Sequence, residues 1–424
     1  MKLFALAAVS IASLMAASSA AWAQTELRIA HQAGTESAKV MDEVVADFEK
    51  LHPDISIKQL VFSSADYENT GLVTQLQSST PPDIYFQWAG YPVERDVKTG
   101  TAFDLTGAMA TDGWKETFQP GLWTAGSGTT VDGHIYLVPT SVGVDVTLWY
   151  NTKLFKKLNL DTPKTWADLM TDVKAIAASG VTPIVIGNKE QWPLGNWISQ
   201  IASRLVPPAD YEAAFNQDGP FKIPGFQHAF QLLKDLHDAG AFNIDMATLD
   251  QDQGMATFFQ SAAAIDPIGW WLVRPKDQIS DPDFDYAQFN TPIIDDTTSN
   301  KDNVSGSGEG FIVNAHSEHK DAAIAFLKFM TSAENQAKWI AATGQSSPVI
   351  AANVGANLDP HVAEIATLMN TASSLTAPPD TSYPLPVART FYQAAAYVAS
   401  GDKSPDDALD WLDATLKSMG KQTN

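Results

Sequence analysis

Residues 27–86 read LRIAHQAGTESAKVMDEVVADFEKLHPDISIKQLVFSSADYENTGLVTQLQSSTPPDIYF. Leu27-Arg28-Ile29-Ala30 has the look of a short strand, and Met41, Val44, Val45, Phe48 and Leu51 then recur at helical spacing until His52-Pro53 stops them. Ile55 to Phe62 is a second strand. Asp66 to Gln77 carries Leu72, Val73 and Leu76 on one side and ends before Pro81-Pro82, and Asp83-Ile84-Tyr85-Phe86 is a third strand. A β-α-β-α-β order predicts an α/β fold with a parallel sheet flanked by helices.

Open sheets of this kind bind ligands beyond the carboxyl ends of their strands. Those ends carry His31 and Gln32, then Ser63 and Ser64 with Asp66 and Tyr67 just behind, then Gln87 and Trp88. All are polar or aromatic, which makes them the first candidates for ligand contact. Downstream, Val142, Val144, Val146, Leu148 and Tyr150 alternate with period two, as in a long strand able to leave one domain and enter another. A second α/β block follows: Thr165 and Asp168 form a capping-box pattern, and helical runs at 195–205, 226–239 and 255–260 precede a brief strand at 262–265. The acidic stretch from Asp281 to Asn303 is expected to be a solvated connector. Gly306-Ser307-Gly308-Glu309-Gly310 is expected to be a glycine turn that lets backbone approach a ligand, ahead of a strand at Phe311-Ile312-Val313.

At 424 residues the chain is too long for one compact core, and two domains are expected. It carries 27 basic against 49 acidic residues, a net charge of −22, so a footprint for nucleic acid or anionic lipid is absent. There is no cysteine, which excludes disulfides, thiolate metal sites, cysteine nucleophiles and a lipidated N-terminal Cys. Lys2, the apolar stretch from Leu3 to Ala17 and Ala21-Trp22-Ala23 have the order of a cleaved export signal.

Motifs for chemistry are weak. His316 and His319 have the wrong spacing for a metal pair. Asp250-Gln251-Asp252-Gln253-Gly254 places its glycine too early for a calcium loop, and no G-x-S-x-G elbow occurs. Neither metal nor cofactor is expected. Tryptophan is more informative. Trp166, Trp339 and Trp411 sit in helical patterns and are expected in the core, whereas Trp88, Trp192, Trp270 and Trp271 are expected in loops after strands. Such rings suit the apolar C–H faces of a sugar, while Gln, Asp, Ser and Arg bind its hydroxyls. Of Trp270 and Trp271, one ring is expected to face a cleft and the other to pack inward.

The ordered set Phe48-Glu49-Lys50-Leu51-His52-Pro53, Pro82-Asp83-Ile84-Tyr85, Tyr136-Leu137-Val138-Pro139, Leu148-Trp149-Tyr150-Asn151, Thr165-Trp166-Ala167-Asp168-Leu169 and Gly269-Trp270 resembles extracellular solute-binding proteins, family 1, of ATP-binding-cassette sugar importers. The resemblance implies two α/β lobes, each a mostly parallel sheet flanked by helices, joined by a multi-segment hinge. Lobe one would be 24–141 plus 292–342 and lobe two 142–291 plus 343–424, with crossings near Ser141 to Gly143, Thr291-Pro292 and Thr343-Gly344. It also implies a polar contact from Glu36, stacking by Trp270 and approach of Arg389, joining Ser141, Gly308 and Glu309 as candidates. Gln260-Ser261-Ala262 departs from the Gly-Lys pair common there.

The expected function is that of a monomeric, non-catalytic periplasmic receptor. It would capture a mono- or oligosaccharide or related polyol and deliver it to a membrane permease. A receptor for a polyamine or amino-acid derivative, or a secreted carbohydrate-active enzyme, remains open at this point. The signal pattern predicts cleavage after Ala23, so mass spectrometry of exported protein should find Gln24 first. A retained Met1 would refute it.

Overall fold

The computed structural model describes residues 24–422 apart from 33–34, 124–127, 274–278, 280, 282, 299, 357 and 373, so the export signal expected at 1–23 lies outside the described residues. Strand β1 (Thr25–Gln32) pairs in parallel with β2 (Ile55–Phe62) and with β3 (Ile84–Trp88). The helix Thr35–Leu51 connects β1 to β2 and buries Val40, Met41, Val44, Val45 and Phe48 in one apolar cluster with Leu27 and Ile29. Leu51, expected on the same stripe, is 65% exposed. It is the helix's last residue, and Phe48 spends that end of the helix stacking on His52 at 4.3 Å.

The helix expected over 66–77 is broken into Ser64–Asp66, a π-turn at Tyr67–Gly71 and a helix Leu72–Leu76. The Tyr67 hydroxyl donates to the carbonyl of Phe86 at 2.6 Å, with the carbonyl of Ala30 sharing that proton at 3.2 Å. That fastens the wide turn to the carboxyl ends of β1 and β3.

A small ribbon, β4 (Thr130–Val131) with β5 (His134–Ile135), precedes the long strand β6 (Val138–Asn151). The remaining strands are β7 (Thr182–Ile184), β8 (Ala263–Ile268), β9 (Tyr286–Phe289), β10 (Val304–Val313) and β11 (Leu375–Thr376). They lie in the order β2-β1-β3-β10-β6-β8-β7, with β11 on β10 and β9 on β6. The flanks are parallel, while β10 runs antiparallel to both β3 and β6.

Three apolar clusters flank this sheet. The first holds β1 to β3 together with Val138 of β6 and Phe311 to Val313 of β10. The second packs the helices Trp192–Leu205, Pro224–Asp238, Leu385–Ala399 and Pro405–Met419 on Val146 and Leu148 of β6. The third, smaller, contains Val144, Trp149, Ile268, Leu272 and Val304. Both β6 and β10 therefore run from one core to another.

The glycine run at 306–310 is not a turn but part of β10. Its glycines serve the approach of two strands: a Cβ at Gly310 would collide with the Val138 carbonyl. The register against β6 shifts between Ser305 and Gly306 and again between Glu309 and Gly310, as β-bulges do where a strand bends. The stretch expected as a solvated connector is anchored in part. Buried Arg204 donates to the carbonyls of Thr291 and Asn303 and, at 2.8 Å, to Asn290 Oδ1, and Thr291 and Asn303 are themselves buried.

Helix starts follow local chemistry. The capping box of Thr165 and Asp168 opens the helix Trp166–Ala178. Asp250 and Gln253 form a second one that opens the helix Gln251–Phe259, which accounts for the acidic run there without a metal.

Asp266 of β8 lies opposite Trp149, is 3% exposed, and its Oδ2 has no hydrogen-bond partner. Burial holds its carboxyl well above the usual carboxylate range. The folded state thus binds this proton more tightly than the unfolded chain. The associated stability is complete at acid pH and is lost as pH rises above the ordinary carboxylate range. Asp266→Asn should therefore gain on the parent in Tm by several degrees between pH 4.5 and pH 8. A Tm difference that does not change with pH would refute this account.

Candidate ligand-binding cleft

A cavity of about 900 Å³ opens between the first apolar cluster and the other two. That is within the size range of small-molecule sites. Gln32, Ser63, Ser64, Tyr67, Gln87 and Trp88 line it from the carboxyl ends of β1, β2 and β3. Ser141, Gly308 and Glu309 line it from β6 and β10, and Trp192, Trp270 and Trp271 from beyond.

Their roles differ. The Tyr67 hydroxyl is taken up by its two carbonyls, so it offers the cavity only its ring, packed edge-on against Trp88 at 6.1 Å. Ser63 caps the turn at Ser64–Asp66, accepting from Asp66 N at 3.1 Å and donating to Asp66 Oδ2 at 2.8 Å. Asp66 itself is exposed and does not line the cavity, because its side chain folds back on the cap. Arg389 sits exposed on the helix Leu385–Ala399, away from the lining, since that helix turns its apolar face inward. Glu36 falls in the first turn of the helix Thr35–Leu51, and its side chain lies outside the described residues.

The tryptophans stand in ordered elements. Trp88 ends β3, Trp192 opens the helix Trp192–Leu205, and Trp270 and Trp271 form a 3₁₀ turn after β8. Both Trp270 and Trp271 line the cavity, where one had been expected to turn inward. Trp271 is fixed by donating Nε1 to Gln251 Oε1 at 3.0 Å, and its ring lies 5.8 Å from that of Trp192. Trp270 packs so close on β6 that a Cβ at Gly143 would collide with its indole.

Sequence reading overlooked several lining residues. Arg95, from the helix Tyr91–Lys98, donates Nε and Nη2 to Asp96 Oδ1 at 3.0 and 2.9 Å, while Gln87 Nε2 holds Asp96 Oδ2 at 2.8 Å. Asn196 accepts from the Tyr392 hydroxyl at 2.6 Å, and Met255 and Phe259 come from the helix after Asp250. Most telling is Asp145. It shares a face of β6 with Ser141 and Gly143, the opposite face to the apolar alternation that marked this strand.

Across the two strands, serines and carboxylates pair crosswise. Ser141 Oγ donates to Glu309 Oε1 at 2.6 Å, and Ser307 Oγ donates to Asp145 Oδ1 at 3.0 Å. Burial, assisted by the nearby Glu309 charge and opposed by the Ser307 bond, pushes the Asp145 carboxyl up to about 7. Burial raises Glu309 too, against the bond from Ser141. Among the described residues no cluster of His, Cys, Asp and Glu is arranged to hold a metal ion. The arrangement suits binding: flat rings for apolar faces, with amide, hydroxyl and carboxylate groups between them.

Comparison with known proteins places this geometry. An ABC transporter extracellular-binding protein of Pyrococcus horikoshii is 26% identical over 325 residues, 73% of this chain and 69% of that protein. The multiple sugar-binding protein of Streptococcus mutans is 26% identical over 321 residues, 73% of this chain and 71% of its own. Among solved structures, a chitin oligosaccharide binding protein superposes with a TM-score of 0.84 at 21% identity, covering 93% of this chain and 98% of that one. A solute-binding protein in complex with raffinose has a TM-score of 0.73 at 20% identity, covering 93% and 99%. These structural likenesses establish the shared α/β fold, a large sheet flanked by helices. The family model for bacterial extracellular solute-binding proteins matches residues 33–337, and the chain belongs to that family.

Proposed function

We propose that this protein is the carbohydrate receptor of an ATP-binding-cassette importer, binding a saccharide or related polyol in the cleft and passing it to a permease without chemical change. One observation carries the reading: a cavity of about 900 Å³ holds four indole rings, Trp88, Trp192, Trp270 and Trp271, interleaved with amide, hydroxyl and carboxylate groups. Indole faces match the C–H faces of pyranoses, and the polar groups match their hydroxyls. The names of relatives favour the same class, one being called a multiple sugar-binding protein and others solved with raffinose or stachyose.

The proposed division into lobes at 24–141 plus 292–342 and 142–291 plus 343–424 has support from the separate apolar clusters. The packing of Val304 in the third cluster favours moving the second exchange from Thr291-Pro292 toward Gly308. Two lobes linked by strands can rotate about the crossings and close on a ligand. The proposed setting is the periplasm, as a monomer. No helix among the described residues is long and apolar enough to cross a membrane.

A thermal-shift panel of sugars and polyols tests the class, since a ligand at 100 times its Kd adds about 2.7 kcal/mol to stability. Calorimetry with the best hit then tests the rings. Trp88→Ala and Trp270→Ala should each weaken binding by about 2–4 kcal/mol, as central aromatic anchors do, with little change in the ligand-free Tm. A panel without a single stabilising saccharide would refute the reading. So would variants that lose ligand-free stability yet bind normally.

A further inference from the structure

The charges lining the cleft are unbalanced. Among the described lining residues Arg95 is the one full positive charge, and it is committed to Asp96 through two of its nitrogens. Against it stand Asp145, Asp252, Glu309 and Asp380. Two of these, Asp145 and Glu309, face the cavity from the central strands β6 and β10, which also carry the serines that orient them. Asp145 is 7% exposed, and its Oδ2 is enclosed with no hydrogen-bond partner in the protein. A carboxylate oxygen buried in this way is costly unless something meets it.

We infer that this end of the cleft recognises a protonated amine, so that the ligand class is an amino sugar or an oligosaccharide bearing one. The inference rests on the carbohydrate reading above. A sugar hydroxyl could donate one bond to either carboxylate but would leave their charge uncompensated. An ammonium brings three donors and a positive charge to a place where two serines have already oriented one oxygen of each acid. Burial raises the affinity of both acids for a proton, and a cation set between them would hold them in their charged forms. Trp270 packs on β6 at Gly143, two residues from Asp145 on the same face, and an indole face attracts a cation. The same field repels uronic acids and phosphorylated sugars.

The test is calorimetry at pH 7 on the whole mature chain. The probes are glucosamine, galactosamine and oligomers of β-1,4-linked glucosamine, each set against its N-acetyl and hydroxyl counterparts, with glucuronate and spermidine as controls. At least one amine-bearing saccharide should bind tenfold or more tightly than both its counterparts. Asp145→Asn and Glu309→Gln, near-isosteric changes whose folding is checked by circular dichroism, should each remove that advantage, so that the amine binds no more tightly than its N-acetyl and hydroxyl counterparts. Neutral sugars that bind as tightly as their amines, or a preference for glucuronate, would overturn the inference and leave the carbohydrate reading standing. Spermidine binding that both variants abolish, with no saccharide bound, would overturn the carbohydrate reading and sustain the amine site. Failure of every probe would overturn both.

Discussion

The antiparallel pairing of β6 with β10 is the constraint on which the rest of the molecule hangs. Both strands thread from one apolar cluster to another, so their ladder is at once the connection between the cores and a wall of the cleft. Close pairing demands glycine where backbone meets backbone, as at Gly310 against Val138. At Gly143 the missing side chain instead clears space for the Trp270 indole against the strand. Pleating then does the sorting. On β6, Val144 and Val146 go to the cores while Ser141, Gly143 and Asp145 share the face toward the cavity. One ladder thus sets the spacing of the cores, the seat of an indole and the placement of two acids.

Much of this was legible in the chain, and what was not has physical causes. The β-α-β-α-β order, the stop at His52-Pro53 and the Thr165–Asp168 cap are local signals, and local signals survive into the structure. Strand-end residues such as Gln32, Ser63, Gln87 and Trp88 line the cavity because parallel topology alone places them there. Asp145 was equally visible, two positions from Gly143 on the polar face of a strand recognised by its apolar face, and attending to both faces would have found it. Arg95 and Asn196 could not be found this way. Each sits on a helix whose rotation about its axis is decided by tertiary contacts, Gln87 of β3 holding Asp96 beside Arg95 in one case and Tyr392 holding Asn196 in the other. The glycine run misled because glycine serves turns and close strand pairs alike, and only the partner strand tells them apart.

Arg204 shows how a polar stretch becomes structure. The acidic run at 295–302 argues for solvent, and several of its side chains are exposed or half-buried. Yet a guanidinium with five fixed donors can gather backbone carbonyls from either end of such a segment, and Thr291 and Asn303 are held in this way. Its charge survives burial, since desolvation lowers its pKa only to about 10. Removing it would leave several buried acceptors without donors, a loss well beyond that of one ion pair.

The separation of β6 and β10 along the chain also has a consequence in time. Ser141 and Glu309, bonded across the ladder, are 168 residues apart. β3, finished at Trp88, has its second edge covered only by β10. At translation rates of about 5–20 residues per second, the interval before β10 emerges is on the order of tens of seconds. Throughout it, the nascent amino-terminal sheet carries an open apolar edge, a template for unwanted strand addition. The first and third clusters, which draw on β10, cannot finish early. The central ladder thus closes only after most of the chain has been made.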